Sequence, residues 1–191
     1  MNKLSSIEDI SLLRESLELE CKAAQGTSGR GELPKDFWPT YSAMANARGG
    51  MVILGIQEKS GVFSVVGLKD MNKVRSDLFN NLNNLGKVSV NLLRDADAQE
   101  VILDGQAVLI LSIPQAGRKD KPVYLNGQPF GNTYRRLNDG DRQCDDTTVK
   151  RMLAEQVQDS RDTYICNRYG LNDIDLESLH AIRTQFASNK P

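Results

Sequence analysis

Five basic side chains in two short segments of this sequence have the chemistry needed to bind phosphate. Three of them lie in the loop at residues 115–122, and two are adjacent in the strand-like segment at residues 133–137. Lysine and arginine bind the phosphates of nucleic acids through charge and hydrogen bonds, without reading the bases. The five candidate nucleic-acid-binding residues are Arg118, Lys119, Lys121, Arg135 and Arg136.

The overall charge of the chain confines any such binding to a local patch. The 191 residues include 24 Lys and Arg against 25 Asp and Glu, which leaves a net charge of −1. A chain of this balance has no general attraction to nucleic acid. Within the patch, Arg135 and Arg136 are expected on opposite faces of one strand, because successive strand residues alternate. One of them could instead pair with a carboxylate such as Asp139 or Asp141.

A helix followed by a buried strand forms the centre of the chain. Aromatic and apolar residues recur at helical spacing across residues 37–45, and Gly49 follows where such a helix would end. Residues 51–56 are continuously apolar, which predicts a strand covered on both faces. Trp38 and Tyr41 lie on this helix and could stack on bases, although aromatics on a helix face more often belong to a core.

The other segments predict a single α/β (α+β) domain, with a mixed, largely antiparallel sheet flanked by helices. Residues 17–22 alternate as a strand does, which places Glu20 and Lys22 on a face expected to meet solvent. Further strands are predicted at residues 62–67 and 88–93. The segment at residues 100–113 is predicted to form two strands joined by a hairpin turn at Asp104–Gly105. A last hairpin is predicted to pair residues 123–125 with residues 133–137. Two further helices are predicted from their inward-facing apolar residues. The first has Val74, Leu78, Leu82 and Leu85 on its inner face, and the second has Val149, Met152 and Leu153.

A change in composition after residue 156 divides the chain in two. We predict a nucleic-acid-binding domain at residues 1–156 and a polar, partly helical tail at residues 157–191 that leads to a missing C-terminal region. The three cysteines are widely spaced and odd in number, which is typical of reduced thiols in a cytoplasmic protein. The sequence has neither a signal peptide nor a run of ~20 apolar residues that could span a membrane.

Several blocks of this sequence together resemble the Schlafen-type AlbA-like domain. The resemblance covers residues 12–155, and its most specific part is the A-N-x-x-G-G block at residues 45–50. It implies a bacterial, cytoplasmic DNA-binding or RNA-binding module that heads a transcriptional regulator. The matching blocks are ESLELECK (15–22), LPxDFW (33–38), YSAMANARGGMVILGIQE (41–58), VSVNLL (88–93), IPQAGRKDKPVYL (113–125) and GNTYRR (131–136).

The resemblance also implies an alternative function, that of a metal-dependent ribonuclease. In the vertebrate relatives, three carboxylates cleave structured RNA with a divalent metal, and the matching catalytic and metal-binding positions are Glu15, Glu20 and Glu58. The family has aspartate at the third position, so Glu58 keeps the charge on a longer side chain. Mg²⁺ or Mn²⁺ would be the cofactor, and Lys22 would neutralise the clustered acids. Glu15 meets Glu20 only if the chain turns between them, because five residues along a straight strand reverse the face.

Nucleic-acid binding without a cofactor is the function we predict, because the bacterial members of this family are not generally known as nucleases. The ribonuclease with Mg²⁺ or Mn²⁺ is the first alternative. The second is a protein-interaction or dimerisation module, whose partner would be a second copy of the chain or another protein. No membrane partner is expected.

Overall fold

The computed structural model of the protein describes residues 19–26, 31–138, 140–162 and 175–188. Within these ranges the chain forms eight strands and four α-helices. They are β1 (Leu19–Lys22), α1 (Phe37–Asn46), β2 (Gly50–Leu54), β3 (Ile56–Lys59), β4 (Val62–Val65), α2 (Met71–Leu82), β5 (Ala98–Leu103), β6 (Gln106–Ile113), β7 (Tyr134–Leu137), β8 (Gly140–Gln143), α3 (Asp146–Asp162) and α4 (Leu176–Ser188).

A four-stranded sheet organises the domain, and its strand order is β1-β2-β6-β5. β1 runs parallel to β2, whereas β2 with β6 and β6 with β5 are antiparallel. Two separate hairpins, β3–β4 and β7–β8, complete the strands. The fold is therefore the mixed, largely antiparallel α/β arrangement with flanking helices and a helical C-terminal part that the sequence predicts.

The sheet is covered on both faces, as the apolar run at residues 51–56 predicts. On one face, Val52 and Leu54 pack in the main core with Trp38 and Tyr41 of α1. On the other face, Ile53 packs in a second cluster that includes the hairpin β3–β4. The rings of Trp38 and Tyr41 are buried, which confirms that they belong to the core.

The predicted strand at residues 51–56 is wrong in one respect, because Gly55 breaks it. Gly55 has a φ of +103°, a conformation that other residues rarely adopt. Its N–H donates to the carbonyl of Lys22 at 2.8 Å, and its carbonyl accepts from the N–H groups of Val66 and Gly67 at 2.9 Å. The chain therefore leaves the sheet at Gly55, and β3 pairs with β4 instead.

Three other sequence predictions need correction, and side-chain hydrogen bonds explain one of them. Residues 88–93 form a single bridge, Val88 to Leu125, rather than a strand. The hydroxyl of Tyr41 forms hydrogen bonds with the backbone of this segment instead. It donates to the carbonyl of Val90 at 3.1 Å and accepts from the N–H of Leu92 at 2.8 Å. This satisfies polar groups that a strand would otherwise have paired.

The other two corrections concern a helix end and a hairpin partner. Leu85 is 71% exposed, because α2 ends at Leu82 and Leu85 lies beyond the inward-facing stripe. Segment 123–125 meets segment 133–137 only at one bridge, while β7 pairs with β8. The Asp104–Gly105 hairpin between β5 and β6 is confirmed.

The C-terminal helices differ in how much apolar surface they bury. In α3, Val149 and Met152 are buried and Leu153 is half-buried, as predicted. In α4, the apolar residues Leu176, Leu179, Ile182 and Phe186 are all more than half exposed. No helix in the described ranges has both the length and the apolar content to cross a bilayer. The division of the chain at residue 156 stays a prediction, and α3 continues past it to Asp162.

Candidate functional site

The loop after β6 presents two of the predicted basic residues at the surface. Arg118 and Lys119 lie in a 3₁₀ turn, Arg118–Asp120, and both are exposed. The side chain of Gln156 in α3 donates to the carbonyl of Lys119 at 2.7 Å, which ties the turn to that helix. Lys121 follows the turn directly and is half-buried.

Two further exposed basic residues lie on the β7–β8 hairpin. Arg135 and Arg142 are direct partners in the strand register, and both are exposed. Partners in an antiparallel pair share a face, with Cβ atoms ~5 Å apart, so these two guanidinium groups project on the same side. We use the term basic surface for Arg118, Lys119, Lys121, Arg135 and Arg142.

The electrostatics of Lys121 connect the loop to the hairpin. Burial lowers the pKa of the Lys121 ammonium, and the positive charge of Arg135 lowers that pKa further, whereas Glu155 acts in the opposite direction. The ammonium of Lys121 is therefore close enough to Arg135 for repulsion to matter. A bound anion would relieve like charges held together in this way.

Arg136 points to the opposite face from Arg135, as strand alternation predicts. Its side chain is 9% exposed, and its guanidinium bridges two carboxylates, Glu20 and Asp141, each at 3.0 Å. Asp141 also accepts from the hydroxyl of Thr40 at 2.7 Å. Arg136 therefore forms the ion pair with Asp141 that was the alternative to nucleic-acid binding for one of the two arginines. Asp139 lies outside the described residues. A role for Arg136 in nucleic-acid binding stays a prediction.

Lys22 extends this set of ion pairs. Its ammonium lies 3.3 Å from Glu20 and 2.7 Å from Asp36, and its side chain is 7% exposed. The expectation that Glu20 and Lys22 face solvent is wrong for Lys22 and holds only in part for Glu20, whose side chain is 29% exposed. The parallel register of β1 with β2 places them opposite Val52 and Leu54, on the face that α1 covers. We call Glu20, Lys22, Asp36, Arg136 and Asp141 the ion network.

Two of the three predicted carboxylates line one cleft. Glu20 and Glu58 lie around a cleft of about 630 Å³, together with Lys22 and Asp36. Glu15 lies outside the described residues, so the complete three-carboxylate site stays a prediction. Within the described ranges, no group of three His, Cys, Asp or Glu side chains is arranged to hold a metal ion.

The donor chemistry of Glu20 does not suit a metal in this arrangement. One carboxylate oxygen accepts from Lys22 and the other accepts from Arg136, so both oxygens already face a cation. Each oxygen keeps a second lone pair, but a divalent ion would approach Glu20 against the repulsion of both cations. Two cations of the chain itself thus neutralise Glu20 in this arrangement, and an Mg²⁺ or Mn²⁺ cofactor stays a prediction.

Sequence reasoning missed Arg142 of the basic surface and Asp36 of the ion network. Arg142 could have been found only by knowing that residues 140–143 pair with 134–137, since nothing in its local sequence marks it. Asp36 carries a signal in hindsight, because it belongs to the LPxDFW block before α1. Its carboxylate lies 2.7 Å from the Lys22 ammonium across 14 residues of chain.

The chain belongs to the Schlafen AlbA_2 family, because the model of that family matches residues 15–145, more than half of the chain. A second family model, described as a domain of unknown function (DUF8451), matches residues 150–191. No protein of curated function matches this chain.

Two solved structures resemble the chain at low structural similarity. One is the solution NMR structure of the N-terminal domain of a RecG-related protein from Nitrosomonas europaea, with 28% identity and a TM-score of 0.48 over 72% of this chain and 89% of that one. The other is the crystal structure of the DIP2311 protein from Corynebacterium diphtheriae, with 21% identity and a TM-score of 0.44 over 74% of this chain and 24% of that one. At TM-scores below 0.5, neither similarity supports a conclusion about this chain.

Proposed function

We propose that this domain is the nucleic-acid-binding module of a transcriptional regulator and that it binds the phosphate backbone through the basic surface. The observation that carries the proposal is the placement of Arg135 and Arg142 as direct cross-strand partners beside Lys121. Like charges directly opposite each other in a sheet are destabilising. An anionic ligand offsets that cost, and a nucleic-acid backbone supplies several phosphates at close spacing.

The chemistry of this surface favours positioning on a backbone over the reading of bases. Its polar groups are guanidinium and ammonium groups, which bind phosphate oxygens in any sequence. The candidate target therefore includes both DNA and RNA. Family membership supports the proposal, because the sequence resemblance described above implies the same class of function.

A salt titration of binding tests this function. Each phosphate that is neutralised contributes about −0.9 to the slope of log K against log salt concentration on duplex DNA. The isolated domain should bind a short mixed-sequence DNA duplex weakly, with a slope of roughly −2 to −4. Replacement of Arg118 and Lys121 together by alanine should flatten the slope by about two units.

The matched control is Lys73→Ala, which removes one exposed lysine outside the basic surface. Lys73 lies in α2 and pairs with Asp77 at 2.8 Å, so its removal should leave the slope unchanged. If the wild-type domain binds neither DNA nor RNA at low ionic strength, the proposal fails. The protein-interaction or dimerisation module would then be the preferred function.

The ribonuclease is the second candidate, and one observation favours it. Glu20 and Glu58 line the same cleft, as the carboxylates of such an enzyme would. The ion pairs of Glu20 with Lys22 and Arg136 count against it in the described arrangement. Cleavage of a structured RNA that requires Mg²⁺ or Mn²⁺ and is lost in both Glu20→Gln and Glu58→Gln would establish this candidate.

A further inference from the structure

Asn46, the asparagine of the A-N-x-x-G-G block, is buried in the last turn of α1 and bonds to two segments far away in sequence. Its side-chain N–H groups donate to the carbonyls of Val123 at 2.8 Å and Tyr134 at 2.9 Å. Its side-chain oxygen accepts from the N–H of Val123 at 2.8 Å. One amide thus joins the backbone of the 121–125 segment to the backbone of β7.

Ser42, one turn earlier in the same helix, makes a parallel connection. Its hydroxyl donates to the carbonyl of Val123 at 2.7 Å and accepts from the N–H of Tyr134 at 3.0 Å. The strand pairing between these segments amounts to one bridge, between Tyr124 and Thr133. The two side chains therefore supply much of the hydrogen bonding that a continuous β-ladder would have provided between them.

Both segments carry residues of the basic surface close to these contacts. Lys121 precedes Val123 by two residues, and Arg135 follows Tyr134 directly. We propose that Asn46, assisted by Ser42, is a positioning residue that sets the separation of Lys121 and Arg135 so that both can contact one stretch of phosphate backbone. This inference rests on the proposed function for its ligand.

The rigidity of α1 is what makes this role effective. Phe37, Tyr41 and Met44 of the same helix are fully buried in the main core, so the helix cannot shift without disturbing that core. Binding groups held by packed secondary structure keep their spacing better than groups on unsupported loops. A network in which the amide and the hydroxyl are both satisfied also favours one arrangement of the two segments over others.

The test compares Asn46→Ala with Tyr41→Phe in the full chain. Tyr41→Phe is a matched control, because it also removes buried hydrogen bonds from α1, but those bonds go to Val90 and Leu92 rather than to the basic surface. All binding is measured on the same mixed-sequence DNA duplex, well below the melting temperature of every variant. Asn46→Ala should reduce the steepness of the salt slope by roughly one unit, the share of one phosphate, whereas Tyr41→Phe should leave it unchanged.

A second readout needs no nucleic acid. The pKa of Lys121, followed by NMR through its side chain, should rise in Asn46→Ala, because the ammonium would move away from Arg135 and toward water. The pKa of Lys121 should not change in Tyr41→Phe. If Asn46→Ala does not fold, Ser42→Ala takes its place with the same expected directions, since it removes a smaller part of the same connection.

The outcomes separate this inference from the proposed function. A wild-type domain that does not bind nucleic acid refutes the function, whatever the variants do. A wild-type domain that binds, with an unchanged slope in Asn46→Ala, refutes the positioning role and leaves the function standing. Equal losses in Asn46→Ala and Tyr41→Phe also refute it, because they would indicate a general loosening of the domain.

Discussion

Glu20 and Arg136 are 116 residues apart in the chain, and a partly buried ion pair of 3.0 Å joins them. This pair connects the edge strand of the sheet to the hairpin that carries Arg135. Because Arg136 is held on the inner face of β7, its neighbour Arg135 must point outward. The strand β7 thus contributes Arg136 to the ion network on its inner face and Arg135 to the basic surface on its outer face.

The first prediction concerns the stability that the ion network provides. Asp141→Asn should lower the free energy of unfolding by about 1–3 kcal/mol, because it leaves the buried guanidinium of Arg136 with one charged partner fewer. Asp95→Asn is the matched control, since the Asp95 side chain is 90% exposed and its pair with Arg75 is 3.3 Å long. The control should change stability by less than ~0.5 kcal/mol. Urea unfolding measures both, and equal effects would contradict the structural role of the network.

The second prediction is that Arg142 weakens the fold while it strengthens binding. Arg142→Gln should raise the free energy of unfolding by about 0.2–1 kcal/mol at low salt, because it removes a like charge directly opposite Arg135. The same change should reduce the steepness of the salt slope on duplex DNA by about one unit. If Arg142→Gln binds DNA as tightly as wild type, Arg142 does not contribute to nucleic-acid binding.

The third prediction concerns divalent metal. We expect Mn²⁺ or Mg²⁺ to leave the melting temperature unchanged, because the positive charges of Lys22 and Arg136 at Glu20 repel a divalent cation. A ligand that binds only the folded state would raise the melting temperature. A rise that disappears in Glu20→Gln would contradict this expectation and support the ribonuclease candidate.

The fourth prediction is a loss of stability in strong base. Burial raises the pKa of Tyr41 to about 12 from 10.0, although the hydrogen bond from the Leu92 N–H acts in the opposite direction. The folded state thus keeps a proton that the unfolded state loses, so this contribution is complete below pH ~10 and is lost as the pH rises through ~12. The free energy of unfolding should fall by roughly 2–3 kcal/mol over that range because of Tyr41.

Two variants isolate this effect from the titration of lysines in the same range. Tyr41→Phe should lack the Tyr41 contribution, so its stability should depend less on pH above 10 than that of wild type. Ser42→Ala removes a buried hydroxyl of the same helix that does not titrate, so the pH dependence of its stability should parallel that of wild type. Identical pH profiles for wild type and Tyr41→Phe would show that burial of this hydroxyl does not govern the loss.

The fifth prediction concerns the C-terminal tail. Limited proteolysis should cut between residues 157 and 170 and leave a stable core, because Leu179, Ile182 and Phe186 of α4 bury too little surface to protect that part of the chain. The melting temperature of the trimmed core should match that of the full chain. Resistance of the tail equal to that of the strand at Gly50–Leu54 would contradict the proposed division of the chain.

The sequence predicted the parts of this fold that depend on local patterns. Helical spacing across residues 37–45 identified α1, and the Asp-Gly turn identified the β5–β6 hairpin. It failed where a single residue changed the path of the chain, as Gly55 does when it ends β2. It also failed at residues 88–93, where the hydroxyl of Tyr41 replaces strand partners that local sequence cannot reveal.

The same distinction applies to the candidate site. By itself, the sequence determined which residues carry charge, and alternation along one strand determined that Arg135 and Arg136 face opposite ways. Only the tertiary structure decided that Arg136 faces inward to Glu20 and Asp141, and that Arg142 lies opposite Arg135. These pairings join residues up to 116 positions apart, and their energies depend on burial and distance. Neither quantity exists until the sheet, the hairpin and α1 have packed together.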